Sequence, residues 1–330
     1  MVKKMVHIGV IGVGVMGSNH LRVLSNLQNV TLAISDTNKE ICKEAAKTAN
    51  VKSYYFDHNE MLKNEKLDCV IVAVPSTFHK DVVLDCIKAG VNILVEKPIA
   101  HNLEDAQEMI DAVKEKGIIF TVGHIERFNP VITKIKEFIN QGIIGKIYLV
   151  NTARIGPFPK RLYGLIDGVL IDLAVHDVDI INYLVGDIKQ VYSQLIFSGK
   201  QEIYAKSLFQ IEGDIKGSSE FSWVSPKKTR TIEIFGTKGI LRGDHINQEL
   251  KFHENSGESK TALTKGNVVE GRIIEYPIYK QEPLKLELEH FIDCIKNNKK
   301  PLVSPEDAKR ALEIALFILE SGKQNKIIKI

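Results

Sequence analysis

Lys97, Asp172 and His176 are the residues of this 330-residue chain whose types and spacing suit the oxidation of an alcohol. Asp172 and His176 stand four apart in a segment from Leu170 to Leu184 that reads as a helix ending at Gly186, so their side chains share a face. An imidazole titrates near neutral pH, and a neighbouring carboxylate orients it and stabilises its charged form, which suits it to removing a hydroxyl proton. A surface ion pair and a metal pair are alternatives for the same spacing. No other His, Cys or Asp grouping has recognisable ligand spacing, so no metal is expected. Lys97 ends the apolar run Asn92-Ile93-Leu94-Val95-Glu96, and Pro98 restricts it to extended geometry. A lysine at such a strand end is either solvated or a cation that favours a developing alkoxide.

An alkoxide that is to be oxidised needs a hydride acceptor, and the N-terminal residues predict its site. Val6 to Ile11 reads as a strand buried on both faces, and Gly12-Val13-Gly14-Val15-Met16-Gly17 follows, with a helical pattern from Asn19 to Leu27. Gly12 permits the tight turn, Gly14 the approach of a pyrophosphate and Gly17 close helix–strand packing, while the helix N-terminus offers free amides. The next strand, Val30 to Ser35, delivers Asp36 about 20 residues beyond the turn, where an acid can hold ribose hydroxyls and repel a 2′-phosphate. NAD is therefore the expected cofactor, although Asp36 also fits as the next helix cap. The alternation continues through Cys69 to Val74, and Pro75, Ser76 and His79 follow at the strand end where ligands lie in such sheets. Glu96 and Lys97 complete the cofactor-facing set; His79 also suits a structural place on its helix.

From Gly123 the pattern changes. Arg127 and Asn129 lie in a polar connector, and a helix is expected from Val131 to Asn140. Beyond Gly145 a period of two predicts strands at Lys146 to Ile155, Ile188 to Ser198, Ile203 to Glu212, Lys216 to Trp223, Thr229 to Phe235 and Gly239 to Arg242, with Glu249 to His253 and Arg272 to Tyr276 as further segments. These predict a large, mostly antiparallel, meander-like open sheet. The fold class is thus α/β: a Rossmann doubly wound parallel sheet over residues 1–122, then an α/β substrate-binding and oligomerisation domain over 123–330, with the last helix free to pack back on the first domain. An open sheet needs a cover on its second face, so a homo-oligomer, dimer or tetramer, is expected.

Composition narrows the partners. With 44 basic against 41 acidic residues and no basic run, nucleic acid is not expected as a partner. No apolar stretch is long enough for a membrane span, and there is no signal-peptide core. The four cysteines form no Cys-x-x-Cys pair and read as reduced core thiols, as in a cytoplasmic protein.

Taken together, Gly12-x-Gly14-x-x-Gly17, Glu96-Lys97-Pro98 and Asp172-x-x-x-His176 resemble, in order and spacing, the glucose-fructose oxidoreductase, inositol dehydrogenase and MocA-like family. That resemblance covers nearly the whole chain and implies that Lys97, Asp172 and His176 form the catalytic group at the nicotinamide. Within the family, His124 to Pro130, Arg154 to Arg161 and Val169 to Asp179 are most similar to the members that oxidise UDP-N-acetylglucosamine at C3, with Lys160 where another proline would stand. This implies a nucleotide-sugar substrate. Arg154, Lys160 and Arg161 are compatible with it as cations for a pyrophosphate, beside Lys97, Arg127, Asn129, Asp172 and His176. A dehydrogenase for inositol, a free aldose or the corresponding uronic acid is the alternative. A non-catalytic NAD-sensing regulator is a remote one.

Overall fold

A computed structural model describes residues 5–159, 168–256 and 270–330. Six short segments pair in parallel as one sheet, its central strands too uniformly hydrophobic to leave a face in water and one edge strand, Ser53–Tyr55, partly exposed. They are β1 (Val6–Ile11), β2 (Val30–Ser35), β3 (Ser53–Tyr55), β4 (Cys69–Val72), β5 (Asn92–Val95) and β6 (Phe120–Val122), in the order β3-β2-β1-β4-β5-β6. The order reverses between β1 and β4, which opens a crevice at the carboxyl ends of those strands. Helices α1 (Val15–Leu24), α2 (Lys39–Thr48), α3 (His58–Asn64), α4 (His79–Ala89) and α5 (Leu103–Lys116) connect the strands. Asn38 and Asn102 cap α2 and α5, and Gly90 and Gly117 end α4 and α5 in the left-handed conformation.

This first compact unit comprises Met1–Ile125 and Glu282–Leu312. The later piece brings α8 (Pro283–Asn297), whose Leu284, Leu288 and Phe291 join Ile8, Val10, Leu21, Leu24 and Ile34 in one buried core. The chain is therefore divided differently from a single cut after residue 122. Burying the Phe291 ring contributes on the order of 2 kcal/mol, and it locks α8 to a sheet far away in sequence.

The second unit comprises Glu126–Gln281 and Glu313–Ile330. Its sheet has nine strands: β7 (Ile147–Pro157), β8 (Ile188–Ser198), β9 (Gln201–Ile211), β10 (Ile215–Ser222), β11 (Val224–Gly236), β12 (Gly239–Asp244), β13 (Glu249–Glu254), β14 (Ile273–Tyr276) and β15 (Ile328–Lys329), in the order β14-β13-β12-β11-β7-β10-β9-β8-β15. It is mostly antiparallel, and β7 with β10 is its parallel pair. That pair sets it apart from a plain meander: between β7 and β10 the chain passes through a helical segment and then the antiparallel strands β8 and β9.

Along β7, Val150, Thr152, Arg154 and Gly156 alternate inward, and along β11 Ile232 and Ile234 do the same. Helix α6 (Pro130–Asn140) presses on this face: a side chain at Gly243 would meet Val131 at 2.7 Å. Helix α7 (Val175–Leu184) packs on β7. The last helix, α9 (Pro305–Gln324), contributes residues to both units.

Candidate active site

The glycine turn after β1 is built on close approaches. Gly12 has φ +82°, and a Cβ there would lie 2.9 Å from the Ala73 backbone; at Gly17 a Cβ would collide with the Gly12 carbonyl. Gly14 faces open space. Helix α1 begins at Val15, earlier than the apolar pattern alone suggests, and no side chain caps it. Its first-turn amides therefore face outward with the positive end of the helix behind them. Gly14, Val15 and Met16 are exposed, whereas Val13 and Gly17 are buried. At the end of β2, Asp36 accepts from the Val13 amide at 2.9 Å and from the Asn38 amide at 2.8 Å. Its carboxylate thus sits against the glycine turn. An uncapped helix terminus, an open middle glycine and an acid at the turn fit a dinucleotide, with the amides for its pyrophosphate and Asp36 for a ribose.

Pro75 and Ser76 open a short 3₁₀ turn beyond β4. His79 follows it but is buried. Its Nε2 lies 2.9 Å from the Val74 carbonyl and its Nδ1 3.0 Å from that of Pro98. Burial pushes its pKa down against these carbonyls. The ring therefore ties the β4 end to the segment after Lys97.

Glu96 is buried too. Its Oε1 lies 2.7 Å from His20 Nε2, and its Oε2 accepts from the Lys97 amide at 3.2 Å. Burial raises the Glu96 pKa, but the hydrogen bond and charge of His20, with Lys97, outweigh it and hold the carboxyl below its usual range. Gly123 leaves room for it, since a Cβ there would approach Glu96 at 3.2 Å. Glu96 is thus a buried anion that holds the Lys97 main chain, while the Lys97 side chain is half-buried. On α8, Glu287 is also buried, with no hydrogen-bond partner for either carboxylate oxygen among the described residues. Burial, then the charge of Glu96, raises its pKa well above the usual range.

In the second unit the segment carrying Asp172 is not a regular α-helix. Leu170–Ala174 is a π turn, with the Val175 amide bonded to the Leu170 carbonyl, and α7 continues from Val175. Such turns are wider than an α-helix and recur at functional sites. Asp172 is 5% exposed, and His176 one turn later is half-buried. Glu202 accepts from the Leu170 amide at 3.4 Å, which places an anion at the start of the segment. Gly168 makes that possible, because a side chain there would occupy the position of the Glu202 carboxylate.

Behind this segment lies a buried charge network. Arg154 is 1% exposed; its Nε donates to Asp177 at 2.6 Å and its Nη1 to Glu126 at 2.9 Å. Burial works against its charge, but Asp177 and Glu126 outweigh it and raise the Arg154 pKa. Glu126 also meets His245 Nδ1 at 3.0 Å and Arg230 Nη1 at 3.4 Å. Despite burial, Arg154 and His245 hold Glu126 well below the carboxylate range. Arg127 is bidentate to Asp179 at 2.6 to 3.1 Å and lies over the Tyr183 ring. Asn129 caps α6 through the Val131 amide and donates to the His245 carbonyl.

The structure thus brings Arg127, Asn129 and Arg154 into ion pairs, caps and brackets of the domain interior. Lys160 and Arg161 lie outside the described residues. His20, Glu126, Asp177, Asp179, Glu202, Arg230, His245 and Glu287 take part in these arrangements without having been singled out from the sequence. Only the acids Asp177 and Asp179 beside His176 carried a signal, as unmatched charges in an apolar helix. Among the described residues no group of three or more His, Cys, Asp or Glu is arranged to hold a metal ion, and no helix is long and apolar enough to cross a membrane. All four cysteines are free and buried.

A parallel sheet with an open glycine turn, followed in the chain by a second unit whose π turn and helix α7 carry Asp172 and His176, defines a two-domain dinucleotide-dependent oxidoreductase. Residues 6–124 match the GFO/IDH/MocA model described as an oxidoreductase family with an NAD-binding Rossmann fold, and residues 132–242 match the GFO/IDH/MocA C-terminal domain. The chain belongs to this family and is an NAD-dependent dehydrogenase. It is 28% identical to the myo-inositol 2-dehydrogenase of Thermotoga maritima over 98% of both proteins. It is 25% identical to the UDP-N-acetylglucosamine 3-dehydrogenase of Acidithiobacillus ferrooxidans, over 95% of this chain and 97% of that one. A solved structure of the latter enzyme shares the fold with a TM-score of 0.84 at 23% identity, covering 97% of this chain and 99% of that one.

Proposed function

We propose that the protein oxidises the C3 hydroxyl of a UDP-N-acetylhexosamine, UDP-N-acetylglucosamine in the first instance, to the 3-keto sugar nucleotide. The observation that carries the chemistry is the π turn. It holds Asp172 nearly buried one helical turn before a half-buried imidazole, in a domain built around paired charges. His176 takes the proton from the C3 hydroxyl, and Asp172 orients the ring and stabilises its charged form. Lys97 donates a hydrogen bond to the same oxygen as negative charge develops there. NAD, when bound, supplies the hydride acceptor for the C3 hydrogen. Val13, Gly14, Val15 and Met16 with Asp36 hold it, and Pro75, Ser76 and Glu96 shape the strand ends beside it. These steps balance: C3 loses one hydride and its hydroxyl loses one proton.

The substrate choice is supported by the stretches His124 to Pro130 and Val169 to Asp179 and by full-length similarity to a UDP-N-acetylglucosamine 3-dehydrogenase. A second choice, a polyol such as inositol, is favoured by the equally complete match to an inositol dehydrogenase. Absorbance of reduced cofactor, followed with NAD and either UDP-N-acetylglucosamine or myo-inositol, separates them. Turnover of inositol alone would overturn the nucleotide-sugar proposal.

We also infer a cytoplasmic homo-oligomer, dimer or tetramer. Ile196 and Leu208, on one face of two neighbouring strands, are 53% and 55% exposed and, with the Gln194 and Lys206 pair between them, offer a mixed surface that a second copy could cover. Light scattering after size exclusion reads the subunit number, and a monomer at micromolar concentration would contradict it.

A further inference from the structure

We propose that Arg230, with Lys228 two residues before it on β11, is the position at which this enzyme recognises a phosphate group of its substrate. The inference rests on the nucleotide-sugar reading above and assigns its anion-binding side chains. Arg230 is the direct cross-strand partner of Arg154, on the inward face of the sheet with Ile232 and Ile234. The two guanidinium groups differ in their surroundings. Arg154 is fully buried and held by two carboxylates at hydrogen-bond distance, and its remaining nitrogen, Nη2, has no partner among the described residues but is shut off from solvent. Arg230 is 31% exposed at its side chain and reaches one of those carboxylates, Glu126, through a single nitrogen at 3.4 Å. A guanidinium carries five donors in a fixed fork. Most of that fork is not used by the contact to Glu126.

Its electrostatic position agrees. Burial and the neighbouring Arg154 lower the Arg230 pKa by more than Glu126, Asp177 and Asp172 raise it, so its charge is under-compensated. An added anion would relieve that, whereas a neutral sugar hydroxyl would not. Arg230 and Arg154 share Glu126, and Arg154 in turn holds Asp177, the residue after His176, which puts Arg230 next to the segment that carries the π turn. A phosphate held there would belong to a molecule that also reaches the Asp172 and His176 face. Lys228 extends the cationic row: a side chain on Gly156 would begin 3.6 Å from its Cγ, so glycine at 156 lets the Lys228 stem lie against β7. Inositol has no use for such a row, and a sugar diphosphate does.

The test separates anion recognition from the chemistry by using UDP, which lacks the oxidisable sugar. Calorimetric titration of UDP into the NAD-loaded protein is expected to show binding that Arg230→Gln weakens about 10- to 100-fold, the worth of a charge-assisted hydrogen bond. Arg230→Lys is expected to be intermediate, because it keeps the charge and loses the fork, and Lys228→Gln to weaken binding less. NAD affinity is expected to stay unchanged in all three. If the wild type does not bind UDP, or if Arg230→Gln and Arg230→Lys bind it as the wild type does, the proposal is overturned, even where UDP-N-acetylglucosamine is oxidised. If UDP binding depends on Arg230 while no reduced cofactor forms from the nucleotide sugar, the anion site stands and the assigned oxidation fails.

Discussion

The two units hold charge in opposite ways. In the first, the cofactor turn uses backbone: amides of α1, space left by Gly14 and one acid at a strand end. Its buried carboxyls, Glu96 and Glu287, repel each other, and the hydrogen-bonded partner of the pair is His20. In the second unit, buried cations and anions interlock, with Arg154 between Asp177 and Glu126 and Arg127 on Asp179. A site made from backbone is robust to side-chain change but fails when a glycine is filled. One made from paired charges fails when either partner is removed.

The largest effects should fall on turnover. His176→Asn is expected to lower kcat by about 10²- to 10⁴-fold, the usual worth of a positioned proton-transfer group, and Lys97→Ala by about 10²- to 10³-fold, that of one donor to a developing oxyanion, with NAD affinity measured by fluorescence little changed. A fall in NAD affinity without a fall in kcat would move either residue from the chemistry to cofactor binding. Next comes the charge network. Arg154→Met leaves Asp177 buried without its cation and Glu126 with only His245 and Arg230, and is expected to cost about 3–5 kcal/mol in denaturant unfolding. A loss below about 1 kcal/mol, the level of an exposed pair, would mean that the network is not the support described.

The glycine turn sharpens the contrast from the other side. Gly17→Ala forces a Cβ into the Gly12 carbonyl and should destabilise the first unit, whereas Gly14→Ala enters open space. The second variant is expected to unfold like the wild type and to bind NAD about tenfold more weakly, a loss of about 1.4 kcal/mol. Equal stability of the two variants would break the assignment.

The smallest effect is on pH dependence. In the unfolded chain Glu287 ionises near 4.5, while in the folded protein its pKa is raised, first by burial and then by Glu96. Its contribution is therefore fully present below about pH 4.5 and is lost as pH rises through the folded value. Glu287→Gln should be more stable than the wild type at pH 8, by about 1–3 kcal/mol, with the advantage vanishing towards pH 4.5. Glu126 has the opposite sign: its folded pKa is lowered, so its contribution is present above pH 4.5 and lost as pH falls through the folded value. Acid unfolding that begins above pH 4.5 in the second unit would contradict that.

The same contrast decides what could be read from the sequence. The glycine turn, the parallel strands and Asp36 are local patterns, and the alternation after Gly145 announced the second sheet, with Ile188–Ser198 as a complete strand. The parallel pairing of β7 with β10 depends on a register between distant strands and left no local mark. Arg154 reads in the sequence as a cation for a pyrophosphate, because nothing local shows that Asp177 and Glu126, 23 and 28 positions away, face it. Arg127 and Asp179 are separated by 52. The π turn carries no proline or glycine within Leu170–Ala174 to announce it. The spacing of Asp172 and His176 was legible, but the wider turn that carries Asp172 was not.

The central claim concerns one carbon of the substrate, and isotope transfer tests it directly. UDP-N-acetylglucosamine carrying deuterium at C3 is incubated with the protein and NAD, and the reduced cofactor is analysed by mass spectrometry. The account predicts that each reduced cofactor molecule carries one deuterium and that Lys97→Ala and His176→Asn slow its formation. Reduced cofactor without deuterium would place the oxidation at another carbon, and none at all from the nucleotide sugar, with ready formation from inositol, would contradict the substrate assignment.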